Sequence, residues 1–185
     1  MEQLLSIFSA FGLSASAGLN AYIPLLMIGV VDHYTDWITL RSPWDLLSNP
    51  WVLIVLGILV IIEMLADKVP AVNHLNDLIQ TFVRPAAGAV AFAASANVVT
   101  DIHPVLALIC GLLVAGSVHV VKAAAVRPVV TATTGGAGNV PVSIAEDVVS
   151  TITSFLAIVL PILIAVILVL SLVLFLWWRQ GRQQA

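Results

Sequence analysis

Charge is what this sequence has least of. Only 9% of its residues are charged, against roughly 25% in an ordinary soluble domain. Too few charged side chains are present to cover a water-facing surface, which excludes an ordinary soluble domain. Cysteine is almost as scarce. The single Cys110 lies inside an apolar run, so neither an intramolecular disulfide nor a thiolate metal site can form. The net charge of −3 is spread along the chain and gives nucleic acid no basic patch to bind. No HExxH, GxSxG or paired-cysteine pattern occurs, and the glycine-rich stretch 131–139 lacks the GK[ST] ending of a nucleotide loop. No enzyme activity and no cofactor are expected.

What remains is apolar: 61% of 185 residues are hydrophobic. The apolar residues form five stretches, at Leu4–Val31, Pro50–Ala66, Pro85–Val99, Pro104–Val121 and Val148–Trp178. A span needs about 20 such residues, so the pattern predicts an all-α, polytopic membrane protein of about five transmembrane helices. Residues 1–185 form one integral membrane domain, multi-pass in the bacterial inner membrane. The start Met1-Glu2-Gln3 lacks the positive region of a signal peptide, and the run after it is too long for one, so it is expected to stay as the first helix. Pro24 and Pro161 are the expected kink points. The small residues of Pro85–Ala96 predict a central, enclosed helix, because they allow close backbone approach. Five crossings put Trp37, Trp44 and Trp51 at the same interface as Trp177 and Trp178.

The middle of the chain repeats. Sliding it by 54 positions sets Pro50 on Pro104, Gly57 on Gly111 and Lys68 on Lys122. Further on, Asn73 precedes Asp77 by four and Ser143 precedes Asp147 by four, one helical turn in each case. Residues 1–49 then hold the first helix and a polar connection, 50–100 and 104–160 are two related helix–broken segment–helix units, and 161–185 are the end of the last helix and a polar tail. The polar segments after Lys68 and Lys122 are expected to fold back to membrane depth, where irregular backbone survives only against protein or a watery cavity. Interrupted segments at matching positions of a repeat are a feature of secondary transporters.

The few charges fall in the same places. The first unit offers Glu63, Asp67, Lys68, Asn73, Asp77 and Arg84; the second offers His119, Lys122, Arg127, Asn139, Ser143, Glu146 and Asp147. Asn20, near a break expected before Pro24, completes the set. Ionisable groups at membrane depth cost at least a few kcal/mol, which makes them functional candidates. The plainer alternative is loop solvation for Lys68, Arg84 and Arg127, and a satisfied structural role for His119. Glu63 and Asp67, one turn apart, could bind a hard cation or share a proton, although the adjacent Lys68 can replace a metal as counter-charge. The stretch Thr131–Asn139 reads as a mobile polar linker.

These residues predict a secondary transporter or antiporter of a small ion or solute. Alternatives are a non-transporting scaffold or partner subunit locked by its charges, and a lipid-handling membrane protein. The expected partners are the bilayer, the small ion or solute, and in a homo-oligomer a second copy. The stretches Ser16-Ala-Gly-Leu-Asn-Ala-Tyr-Ile-Pro24, Glu63-Met-Leu-Ala-Asp-Lys-Val-Pro70, Arg84-Pro-Ala-Ala-Gly88 and Ser143…Glu146-Asp147 resemble a bacterial membrane family known as domain of unknown function 4126. That likeness spans most of the chain and implies no activity.

Overall fold

Two helices start in the same way. Pro50 and Pro104 each occupy the first helical position, where a missing N–H leaves no bond unmade. The preceding side chain caps each helix: Asn49 Oδ1 accepts from the Trp51 amide at 2.9 Å, and His103 Nδ1 accepts from the Val105 amide at 3.3 Å. The computed structural model describes residues 2–68, 70–96 and 102–183; side chains are described except at 2–3, 70–75, 162, 165, 168, 176 and 178–183.

The described residues are helical almost throughout. Helix α1 (Glu2–Leu19) is followed by α2 (Tyr22–Tyr34), a short 3-10 turn (Trp44–Ser48) and α3 (Pro50–Ala66). Helix α4 covers Pro70–Ala96 and α5 covers Pro104–Val121. A π turn (Lys122–Val126) carries α5 into α6 (Arg127–Thr134), and α7 (Asn139–Val159) and α8 (Pro161–Gln183) follow. Three segments, Asn76–Ala96, Pro104–Thr134 and Asn139–Val159, are long and apolar enough to cross a bilayer. With this composition, the chain is a helical membrane protein.

Three expectations change. The first apolar stretch breaks before Pro24, as expected, but Pro24 itself is no kink point: the break is at Asn20. Asn20 Oδ1 accepts the amides of Tyr22 and Ile23, both at 3.2 Å, and so starts α2. Pro24 is the third residue of that helix, where it displaces no intrahelical bond. The polar segments after the two lysines are helical rather than broken. Residues 70–84 are continuous with the small-residue helix, with Pro85 inside α4, and 122–134 extend α5 into one helix of 31 residues. The supposed linker is a tight turn. Gly135 (φ 62°) and Gly136 (φ 92°) take left-handed conformations that other residues rarely adopt, and α7 begins at Asn139. The chain does break at Pro161, where α8 begins.

The small-residue half of α4 is central, as expected. In its spanning segment 56% is buried, against 22% and 28% in the other two. Ala87, Ala89, Ala91, Ala93, Ala94 and Ala96 are all buried. Gly88 and Gly111 face each other across the α4–α5 contact, where a Cβ on either would run into the opposing helix. Helix α1 packs on α4, α5, α7 and α8, tied by Ser14 Oγ to the Gly111 carbonyl (2.8 Å) and by Ser16 Oγ to the Ser150 and Ser154 hydroxyls (2.7 Å each). Ile54, Ile58, Ile61 and Leu65 on α3 point outward, as lipid-facing residues would. Trp37, Trp51 and Trp177 are also exposed, whereas Trp44 is half-buried against the core.

Candidate functional site

Glu63 sits near the end of α3 with its side chain 1% exposed. Its two oxygens accept the Ala21 amide at 3.0 and 3.3 Å, in the gap between α1 and α2. A backbone N–H freed by the helix break is thereby satisfied by a carboxylate. Arg84, on α4 and wholly buried, donates Nε and Nη2 to Glu63 Oε1 at 3.1 and 2.9 Å. Its Nη2 also reaches Asp67 Oδ2 at 3.4 Å, and Nη1 lies 3.4 Å from His119 Nδ1. A guanidinium only donates, so His119 Nδ1 is the acceptor and Nε2 carries the ring proton. Nε2 then donates to Thr81 Oγ1 at 3.2 Å, and that hydroxyl donates to the Asp77 carbonyl at 2.8 Å. The structural role weighed for His119 thus places it inside the cluster.

Asp67 is the hub. Its Oδ2 lies within 3.2 Å of Arg127, 3.4 Å of Arg84 and 3.6 Å of Lys122, and accepts from Ser143 at 3.4 Å. Its Oδ1 accepts from Asn76 at 2.6 Å. Lys122 opens the π turn and reaches Glu146 on α7 at 2.7 Å and the Leu19 carbonyl at 3.2 Å. Arg127, five residues on, pairs with Asp77 at 2.8 Å. Lys122 and Arg127, at the start and just past the end of the π turn, both bear on the same Asp67 carboxylate, and π turns are frequent at functional sites. Lys68 caps the Met64 carbonyl and pairs with Asp147 at 3.1 Å, and Asp147 also accepts from Asn20 at 3.0 Å.

Nine of the fourteen residues expected from the sequence therefore meet in one network, Glu63, Asp67, Asp77, Arg84, His119, Lys122, Arg127, Ser143 and Glu146, and Asn20, Lys68 and Asp147 form a second group beside it. Asn139 does not join it. Its side chain bonds Thr131 across the exposed turn at 3.0 Å, because the start of α7 lies beyond the cluster. The Asn73 side chain lies outside the described residues. Gln80 and Thr81 lie outside the residues expected from the sequence, yet Asn76, Gln80 and Arg84 recur every four positions and share a face of α4. That spacing was the available signal. Glu63 and Asp67 flank Arg84, and no group of three or more metal-ligating side chains gathers among the described residues.

Two cavities flank the network. One, of about 490 Å³, opens between α5 and α7 and has Lys122 and Glu146 in its wall. The other, of about 420 Å³, lies beside α6 and is lined by Asp77, Arg127, Thr131 and Asn139 among others. Asp67, in contact with both Lys122 and Arg127, stands between the two ion pairs.

The model of the family described as a domain of unknown function (DUF4126) matches residues 7–180, and the chain belongs to that family. No curated protein and no solved structure matches it.

Proposed function

From the premise of a helical membrane protein of that family, we propose that the chain is a secondary transporter or antiporter of a small ion or solute across the bacterial inner membrane. The observation that carries this reading is the place of the network between two cavities. Lys122–Glu146 faces one, Arg127–Asp77 faces the other, and Asp67 links them. A charged network of this kind changes partners when an ion or proton enters either cavity. The break at Asn20, where α1 hands over to α2 beside Asp147 and Glu63, supports it, since interrupted helices supply freed backbone groups at transporter sites. Five crossings and two related units belong to the same reading. The matched starts Asn49-Pro50 and His103-Pro104, 54 positions apart, favour the repeat.

The test is ion- or pH-driven flux in proteoliposomes. Asp67→Asn and Glu63→Gln are expected to abolish flux while the protein still inserts and folds, because the amides keep size and hydrogen bonding but lose the charge. A second reading, a non-transporting scaffold locked by its charges, is favoured by one fact: each charged member of the network has an opposite charge within 4 Å. In that case no flux is found under any gradient. Glu63→Gln then only lowers thermal stability, and adding Arg84→Gln recovers it.

A further inference from the structure

The smaller cavity, beside α6, has polar groups at two points of its wall. Asp77, Arg127, Thr131 and Asn139 line it, and the rest of the wall is alanine and proline, whose short side chains leave room for a guest. Arg127 and Thr131 stand one helical turn apart on the same face of α6, about 6 Å along its axis. Asp77 pairs with the first at 2.8 Å and Asn139 bonds the second at 3.0 Å, so the cavity has a charged end and a neutral end.

The charged end presents its carboxylate more than its guanidinium. The Asp77 side chain is 27% exposed, against 11% for Arg127. Arg127 donates Nη1 to Asp77 and Nη2 to Asp67, at 2.8 and 3.2 Å, and is held between them. Asp77 receives that bond on Oδ2, and among the described residues no donor reaches its Oδ1, although a carboxylate offers about four acceptor positions. At the neutral end Asn139 Oδ1 meets only the Thr131 hydroxyl, at a long 3.4 Å. Spare acceptors therefore stand at both ends. The network behind them carries four carboxylates (Glu63, Asp67, Asp77, Glu146) against three cations (Arg84, Lys122, Arg127).

We propose that this cavity binds a small hydrophilic organic cation, its ammonium at the second oxygen of Asp77 and a hydroxyl or amide group one turn away at Thr131 and Asn139. The proposal rests on the transport reading, whose substrate class it names. A cavity of about 420 Å³ falls within the range of roughly 300–1,000 Å³ found for small-molecule sites. A cationic guest offsets the surplus negative charge and uses an oxygen that faces the cavity. An anionic guest would have to draw Arg127 away from two carboxylates and would add to the surplus.

The probes are aminobutanol, butanediol and hydroxybutyrate, which share one carbon chain and a hydroxyl but end in a cation, a neutral group and an anion. Each is titrated onto the whole chain in phosphatidylcholine nanodiscs and followed by ligand-observed NMR, with empty discs as baseline. Saturable binding of aminobutanol is expected, with none of the other two. Asp77→Asn should weaken it about tenfold. Thr131→Val, an exposed change that keeps thermal stability, should weaken aminobutanol about threefold and leave butylamine, which lacks the hydroxyl, unchanged. The probe series and Thr131→Val decide the matter even where Asp77→Asn fails to fold. Absence of saturable aminobutanol binding, equal or better binding of butanediol or hydroxybutyrate, wild-type affinity in a folded Asp77→Asn protein, or a Thr131→Val protein that treats aminobutanol as wild type does each overturns the proposal. Aminobutanol binding without any flux would sink the transport reading and leave the site standing. Proton or metal-ion flux without aminobutanol binding would do the reverse.

Discussion

The two halves of α4 are built on opposite principles although they form one helix. Before Pro85 its buried face carries Asn76, Gln80 and Arg84, with Asp77 beside them, and holds its neighbours through charge. After Pro85 the buried residues are alanines, Gly88, Phe92 and Ser95, and the helix holds α1 and α5 through close approach and an edge-to-face contact of Phe92 with Phe11. The second half makes the first feasible. A buried arginine is tolerable only if its partners stand within hydrogen-bond range, and the tight crossing at Gly88, Gly111 and Ala115 fixes where α5 delivers His119 and Lys122. Rigid apolar packing thus positions a polar cluster that has no backbone of its own.

The sharpest way to break that contrast is Arg84→Met. It removes the guanidinium from Glu63 and Asp67 and strands at least one buried carboxylate. Breaking such a buried pair costs about 3–5 kcal/mol. Thermal unfolding in detergent should drop accordingly, and adding Glu63→Gln should recover a good part. A single Arg84→Met protein as stable as wild type would mean the polar half holds nothing together.

In the apolar half the matching test is Gly88→Val. A Cβ there would strike the Ala115 side chain and lie 3.0 Å from Ser14 Oγ and 3.1 Å from the Gly111 carbonyl. Overpacking of this kind costs about 1–3 kcal/mol. Gly57→Ala is the control, since nothing lies within 4 Å of a Cβ at that position on α3. It should leave stability unchanged or raise it by up to about 1 kcal/mol, because alanine favours helix over glycine. Equal losses at both glycines would show that helix propensity, not the α4–α5 crossing, governs the response.

At the junction of the two halves with α1, Asn20→Ala should cost about 1 kcal/mol, the usual value of a lost N-cap. It removes the acceptor for the Tyr22 and Ile23 amides and the donor to Asp147. A loss near zero would mean the α1–α2 break is held from elsewhere.

Much of this was legible before any coordinates. Long apolar runs announce helices, and Pro50–Ala66 and Pro104–Val121 have the bounds that their capped prolines suggest. Charges this scarce also announce their own gathering, which is why Asp67, Arg84, Lys122 and Asp147 were readable as a group. The pairing was not readable, because it depends on which helix faces lie together: Lys68 goes to Asp147 and Arg127 to Asp77. Polar composition misled at residues 70–84 and 122–134. There Asn76, Asp77, Arg84, Lys122 and Arg127 are satisfied by residues of other helices or their ends instead of by an unwound backbone, and the helix continues. Proline misled at Pro24, since a proline in the first helical turn breaks nothing, while the neighbouring asparagine makes the break.

The smallest expected effect, and the one of opposite sign, is at Gln80. It lies on the polar face of α4 between Asn76 and Arg84, 2% exposed, and its Oε1 has no hydrogen-bond partner among the described residues. An unsatisfied buried carbonyl costs about 1–3 kcal/mol, and leucine has a similar volume without it. Gln80→Leu should therefore leave thermal stability unchanged or raise it by about 1 kcal/mol, in contrast to Arg84→Met one turn away. That contrast separates polar residues that bind the helices together from those that only share their face. If Gln80→Leu instead lowers stability by 2 kcal/mol or more, its oxygen is held by a donor beyond the described residues, and Gln80 belongs with Arg84 among the residues that bind the helices together.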